Sequence, residues 1–297
     1  MEWDLAQLRA FAAVVDHGTL EAAAAALHVT PSAVSQRLKS LERSVGAVLL
    51  RRSRPAVATD AGQPVLRLAR QIAALARDAD VALAGSEAHL PEVRLAVNAD
   101  SLATWTLPAL APVAAEVRLT FLREDQEHTT ELLRDGTAMA AITSQRTAVQ
   151  GCTVEALGAM RYRPMAAEGF VQRWFADGVT PEALARAPVV VFDARDHLQT
   201  DRLVETGVPA DAPPAHTVPA STQFSEAVRH GYGWGMLPDL ERRSWAGVDL
   251  AELPGSVLRP VDVGLFWQQW ALRTSSLDAV AAAVRAGAAA CLLQNGP

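Results

Sequence analysis

The stretch HVTPSAVSQRLKSLERSVG, His28 to Gly46, leaves this chain few choices. Thr30 followed by Pro31 is a helix start. The hydroxyl can accept from an orphan backbone N–H, and the ring presets φ at the first helical position. Val34, Leu38, Leu41 and Val45 then recur at i, i+4, i+7 and i+11, so they share one helix face that must pack on something. The opposite face carries Ser32, Ser35, Gln36, Lys39 and Arg43 with the same period.

Upstream, Leu5, Leu8, Ala12 and Val15 repeat at helical spacing, and Gly18 can close that helix in the left-handed conformation. Thr19 can cap a second helix over LEAAAAALH, whose alanines favour helix and let another backbone approach closely. Two helices joined by a short turn, the second presenting hydroxyls, an amide and cations, form a helix-turn-helix whose second helix enters the major groove of DNA. Gln36 can bond adenine bidentately, Ser32 and Ser35 can read base edges at short range, and Lys39 or an arginine can reach guanine or phosphate. Thr30, Pro31 and Arg37 complete the candidate DNA-binding set on this helix. A solvated face on an ordinary surface helix would carry the same residue types; the cap, the turn, the alanine helix and the local charge together favour DNA.

That local charge is concealed by the total. The formal net charge is −6, yet Thr30 to Arg77 holds nine Lys and Arg against two acids, while beyond residue 90 there are 17 basic residues against 24 acidic. A basic head on an acidic body suits a polyanionic partner for the head alone. AVLLRRSRPAVATDAG then reads as a two-stranded wing, Val48 to Leu50 and Val57 to Thr59. Arg51, Arg52 and Arg54 at its tip are placed for phosphates or the adjacent minor groove, the alternative being an ordinary charged hairpin tip.

From Asp60 a long helix is expected toward Gly85. Val65, Leu68, Ile72, Leu75, Ala79 and Ala82 alternate in steps of three and four, a heptad seam. So narrow a stripe buries little against its own domain, so the expected partner is the same helix of a second chain. Paired recognition helices would then read half-sites one DNA turn apart. GSEAHLPE reads as a hinge. The remaining chain alternates apolar strand runs, VRLAVN, EVRLTFL, MAAIT and PVVVFD, with helical segments such as HTTELLRDG, which predicts α/β domains with mostly parallel sheets. With 297 residues, half of them hydrophobic, two or three domains are expected.

Residues 4 to 60 with the following helix resemble the winged head of the LysR-type transcriptional regulators, and TPSAVSQRLKSLE is close to that family's recognition-helix pattern. LAVNADSLATWTLPALAPV, Leu95 to Val113, resembles the start of the effector domain in the subgroup that regulates arginine and lysine export, known as ArgP or LysG. APVVVFDARD and STQFSEAVRHGYGWGMLP are similar to later segments of that subgroup, while PAST at Pro219 to Thr222 and HGYGWGM at His230 to Met236 depart from it. The resemblance implies a winged helix-turn-helix over residues 1–60, a dimerisation helix over 61–88 and a bilobal effector domain over 92–297, like a periplasmic binding protein. Subdomain I would span about 92–162 and 267–297, and subdomain II about 163–266, with chain crossings near Arg161 to Met165 and Gly264 to Trp267.

That geometry places candidate effector residues beyond the strand ends, where ligands of open α/β sheets sit. Asn98, Asp100 and Ser101 stand between a strand and a helix start, suited to a carboxylate. Thr143 and Ser144 follow a second strand, Asp193 a third, and Ser221 and Thr222 open a helix. Asp100 and Asp193 could hold the cationic groups of lysine or arginine. Residues of these types also cap helices and turns in any protein.

The expected function is that of a cytoplasmic LysR-type regulator, a homodimer or a tetramer on promoter DNA, without cofactor or metal, responding to lysine or arginine and controlling an amino-acid exporter gene. RNA polymerase is a further candidate partner, and no membrane segment is expected. The alternatives are a LysR-type regulator with another effector and a chromosome-binding protein without ligand control. No G-x-S-x-G, H-E-x-x-H or P-loop motif appears, which argues against an enzyme. Cys152 and Cys291 stand apart, with no metal or redox spacing, and are expected to be ordinary buried thiols.

Overall fold

The computed structural model describes residues 3–51, 53–84, 90–123, 126–241 and 249–294. Arg52, most of the expected hinge and the side chain of Ala82 lie outside the described residues. By internal contacts the chain forms two compact units: Met1–Val97 with Pro112–Glu155 and Trp267–Ala282, and Asn98–Ala111 with Ala156–Phe266 and Ala283–Pro297.

The first unit begins with three helices, α1 (Leu5–His17), α2 (Leu20–Ala26) and α3 (Pro31–Val45). Asp4, Thr19 and Thr30 cap them, each side chain accepting from a backbone N–H of the first turn, and Gly18 and Gly46 close α1 and α3 at φ 75° and 78°. Leu8, Phe11 and Val14 from α1 meet Val34, Leu38 and Leu41 from α3 in one core, with Ala23 and Ala24 letting α2 approach. The wing strands are β1 (Leu50–Arg51) and β2 (Val57–Ala58), paired antiparallel as Leu50↔Ala58 and Arg51↔Val57. They are shorter than the expected Val48–Leu50 and Val57–Thr59, and the first is shifted toward the tip, so that Arg51, expected at the tip, pairs within the ladder. Beyond the paired residues, Thr59 N–H donates to the Leu49 carbonyl at 2.9 Å, while its hydroxyl donates to the Val48 carbonyl at 2.7 Å and accepts from the Gly62 N–H at 3.1 Å, starting the next helix.

That helix, α4 (Gly62–Ala84), corrects part of the heptad reading. Val65 is buried in the head core together with Leu66 and Ala69, and Ile72 packs against it. Leu75 is 42% exposed and Leu83 87% exposed. Val65 and Ile72 of the stripe thus complete the head, whose three short helices leave an apolar face for α4 to cover, while Leu68 is half-buried outside that core and the far half presents Leu75 and Leu83 outward.

The rest of this unit is a parallel sheet. β3 (Glu92–Val97) lies between β4 (Arg118–Arg123) and β5 (Ala140–Thr143), paired as Leu95↔Phe121 and Leu95↔Ala140. α5 (Gln126–Arg134) covers it through Leu133, which joins Ala96, Ala138, Ala141 and Val149 in a buried cluster. Such short, apolar strands with a helical crossover are what parallel pairing requires.

The chain leaves and re-enters this unit along two strands, β6 (Cys152–Ala167) and β11 (Val261–Trp270). In the second unit β6 pairs antiparallel with β9 (Gly235–Pro238), Tyr162↔Pro238, and with β10 (Leu250–Glu252), Met165↔Glu252. β7 (Val189–Val191) and β8 (Ala215–Thr217) pair in parallel. α6 (Leu198–Glu205) and α7 (Ser221–Arg229) follow β7 and β8, and Phe224, Ala227 and Val228 of α7 pack with Val190, Met165 and Leu237. The last helix, α8 (Ser275–Cys291), divides between the units at Ala282, and Asn98–Ala111 groups with the second.

No described helix is long and apolar enough to cross a membrane. Cys152 is partly buried, and burial pushes its thiol up to about 11 against the opposing charge of Arg67. Cys291 is exposed, not buried as expected: it continues the spacing of the buried row Leu277, Val280, Val284 and Ala288 but is the last residue of α8.

Candidate DNA-recognition and effector sites

On the head, α3 turns its apolar row inward and leaves Thr30, Pro31, Ser32, Gln36, Lys39 and Arg43 exposed, with Ser35 and Arg37 half-buried at its margin. Thr30 spends its oxygen on the cap, accepting from Ala33 N–H at 3.2 Å, so of this group it acts first on the helix itself. The guanidinium of Arg43 donates to the Lys39 carbonyl at 3.2 Å. On the wing Arg51 and Arg54 are exposed. Among the described residues none of Arg37, Lys39, Arg51 and Arg54 forms an ion pair, leaving four cations available to an anionic partner.

Two contacts hold this surface in one piece, and neither was visible in the sequence. Glu42, at the rear of α3, accepts from Leu49 N–H at 3.0 Å, tying the recognition helix to the first wing strand. The Gly18 carbonyl accepts from Ala56 N–H at 2.8 Å, tying the end of α1 to the second. Both partners are backbone amides, and a backbone amide has no sequence signature.

In the second unit, Asn98 caps the turn Ala99–Ser101, its Oδ1 accepting from Ser101 N–H at 2.8 Å. A π-helical segment, Leu102–Thr106, and an α-helical one, Leu107–Leu110, continue it. Inside that opening Asp100 accepts two hydroxyl hydrogen bonds, from Tyr162 Oη at 2.7 Å and from Ser221 Oγ at 2.6 Å. Ser101 is fully buried, and its Oγ has no partner among the described residues. Two expected residues, Asp100 and Ser221, are thus brought into direct contact, and Asn98 and Ser101 adjoin them.

Asp193 belongs to the same unit but turns on its own loop, its Oδ1 accepting from Arg195 N–H at 2.8 Å. Thr222 is exposed. Thr143 and Ser144 belong to the first unit, where Thr143 is buried at the end of β5 and its hydroxyl accepts from Gln145 N–H at 3.2 Å.

The sequence reading passed over Tyr162 and Asp196. Tyr162 is buried on β6, and burial with the charges of Asp100, Asp196 and Glu241 holds its phenol well above the ordinary range, so it is a donor to Asp100. Asp196, three residues beyond Asp193 in FDARD, accepts from Phe192 N–H at 2.9 Å and Leu198 N–H at 3.1 Å. Burial raises its pKa; those two amides pull it partly back, and the charge of Asp100 pushes the same way as burial. Two half-buried carboxylates, the charge of one felt by the other, with a neutral phenol favour a cation at this place. The signal for Asp196 was its position after a strand end, shared with Asp193; nothing local separated the two.

Residues 5–63 match the model of the bacterial regulatory helix-turn-helix proteins of the lysR family, and residues 86–289 match the LysR substrate binding domain. The lysine export transcriptional regulatory protein LysG of Corynebacterium efficiens is 42% identical over 283 residues, covering 92% of this chain and 95% of that protein. The crystal structure of ArgP from Mycobacterium tuberculosis superposes with a TM-score of 0.89 at 43% identity, covering 97% of this chain and 98% of that one. Full-length LysG from Corynebacterium glutamicum with bound effector Arg gives a TM-score of 0.82 at 34% identity, covering 98% and 99%. With a helix-turn-helix head, a substrate-binding body and relatives of this identity along nearly its whole length, the chain belongs to the LysR family of bacterial transcriptional regulators, and is not an enzyme.

Proposed function

We propose that this regulator responds to a basic amino acid, arginine or lysine, and controls an amino-acid exporter gene from promoter DNA in the cytoplasm. The observation that carries the effector is Asp100, held by Tyr162 and Ser221 at a strand-to-helix junction with the second carboxylate of Asp196 coupled to it. The effector Arg in the LysG structure supports the same ligand class. The carboxylate of the amino acid is assigned to the opening at Asn98 to Ser101, where the start of a helical run favours an anion. Asp100, with Asp193 as the second candidate, takes a cationic group, and Thr143, Ser144, Ser221 and Thr222 are the remaining lining candidates. The domains are assigned as a winged head over 1–60, a dimerisation helix over 61–88 and an effector domain over 92–297.

Calorimetry on the full chain with arginine, lysine and norleucine tests the effector, alongside footprinting on the DNA flanking its own gene with and without each. Binding of a basic amino acid with a change in the footprint is expected. Equal binding of norleucine, or none of any, refutes the basic-amino-acid reading and favours another effector or none. On the DNA side, Gln36 and Ser35 are assigned to bases, and the wing arginines to the backbone. Gln36→Ala should cost about 1–3 kcal/mol on the operator and little on random DNA, and equal losses on both would remove the assignment.

For assembly we assign the outward half of α4 to a homodimer, with the far-half residues Leu75 and Leu83 nearest a partner and Leu68 at the margin. Leu75→Glu with Leu83→Glu puts charges where an apolar seam needs none. Sedimentation should show a smaller species that binds a full operator weakly; unchanged size would place the seam elsewhere.

A further inference from the structure

Arg70 lies on the side of α4 away from Leu75 and is only 7% exposed, unusual for a charge in the middle of a linking helix. Its Nη2 bonds Asp16 Oδ1, on α1 of the head. Its Nη1 donates to the Asp135 carbonyl at 2.9 Å and to Thr137 Oγ1 at 2.7 Å, and lies 3.4 Å from the Asp135 carboxylate, all in the turn between α5 and β5. One guanidinium therefore bridges the DNA-binding head and the sheet of the same unit. The approach is built for it. Gly136, at φ 78°, sits in that turn, and a Cβ there would come 3.2 Å from Arg67 Cα, while Arg67 Nη1 bonds the Gln150 carbonyl. Arg94 on β3 also feels the charges of Arg70 and Asp16.

Asp16 is the telling partner. A carboxylate in the last turn of a helix opposes the helix dipole and is unfavourable unless a cation answers it. Asp16 stands two residues before Gly18, whose carbonyl holds the wing strand through Ala56. Along α1, whose other residues pack on the recognition helix, the same short segment thus carries both the bridge to the sheet and the anchor of the wing.

We propose that Arg70 is a positioning residue for DNA recognition: through Asp16 on one side and Asp135 and Thr137 on the other, it fixes the orientation of the head, and hence of α3 and the wing, against the effector-domain sheet. Spacing between paired heads decides whether both half-sites are read together, so a loosened head loses operator affinity while keeping its phosphate contacts. The inference rests on the DNA-recognition reading of α3, and the first arm below does not.

Spin labels at Ser44 and Ala115, both exposed, in a Cys152→Ala, Cys291→Ser background diluted with unlabelled protein, report the head-to-sheet distance. Arg70→Gln, Asp16→Asn and Thr137→Val should each broaden a single narrow distribution, Arg70→Gln most, and Asp16→Glu should restore most of it. In the second arm Asp16→Asn should weaken operator binding at least fivefold, leaving random-DNA affinity, the log-log salt slope and the melting of the head unchanged. A distribution unchanged in Asp16→Asn and Thr137→Val overturns the proposal, as does a parallel loss on operator and random DNA with earlier melting of the head, which would mark Arg70 as structural only. A wild type without any footprint would sink the DNA reading, and the distance arm would still decide the role of Arg70.

Discussion

Phe11→Ala should unfold the head at a much lower temperature and abolish operator binding, while the arginine binding proposed for the body survives. The ring is fully buried among the helices of the head, and the first residue of α4 packs on it so closely that a Cβ at Gly62 would lie 3.2 Å from Phe11 Cζ. Truncating such a ring removes its transfer free energy and leaves a cavity, together about 3–5 kcal/mol. A head of this size buries a smaller fraction of its surface than a large domain does and has little stability to spare, so the loss is a large part of the total. Two transitions are expected in calorimetry, since a chain with several compact parts need not unfold as one. The first should move down sharply and the second little. A first transition that stays in place, or one that drags the second down with it, would show that the head does not fold on this core.

Asp100→Ala carries the second large effect, in two separable parts. The variant strips the acceptor from Tyr162 Oη and Ser221 Oγ, both buried hydroxyls, and each orphaned group costs about 1–3 kcal/mol. It also removes the charge assigned to the cationic effector, which should weaken arginine more than tenfold, about 1.4 kcal/mol. Asp100→Asn separates the parts, because the amide keeps an oxygen for one hydroxyl while the charge is gone. Its melting temperature should fall less than that of Asp100→Ala, yet its arginine affinity should fall nearly as far. Asp193→Asn is the comparison. That carboxylate is committed to its own turn through Arg195 N–H, so its loss should matter less than the same change at Asp100. If calorimetry finds Asp193→Asn the more damaging of the two for arginine, the cationic group lies at Asp193 and the assignment to Asp100 is wrong.

How far the sequence carries depends on the range of the force involved. Thr30, Pro31 and Gly18 act on backbone groups within one helical turn, and the apolar period of α3 is set by its own 3.6-residue repeat. The head was therefore legible almost residue by residue, and so were the strand ends that carry Asn98 and Thr143 and the helix start that carries Ser221, because strand, turn and cap chemistry is local. The heptad on α4 was legible as a period but not as a contact. A repeat states that Val65 and Leu75 share a stripe, and cannot say that the head covers one and leaves the other 42% exposed. Cys291 failed for the same reason, its neighbours around α8 deciding its exposure.

The chain by itself determined a helix-turn-helix head, an α/β body and the polar residues that stand at helix starts. Tertiary structure alone decided which of those residues meet. Asp100 finds Tyr162 across 62 residues and Ser221 across 121, and Arg70 finds Asp16 and Asp135 across 54 and 65. Such pairings follow from strand register and helix docking, and a one-residue slip of β6 would turn Tyr162 to the opposite face. A hydrogen bond reaches about 3 Å, so it is fixed only when every intervening element has been placed; a cap or a period needs only its own turn.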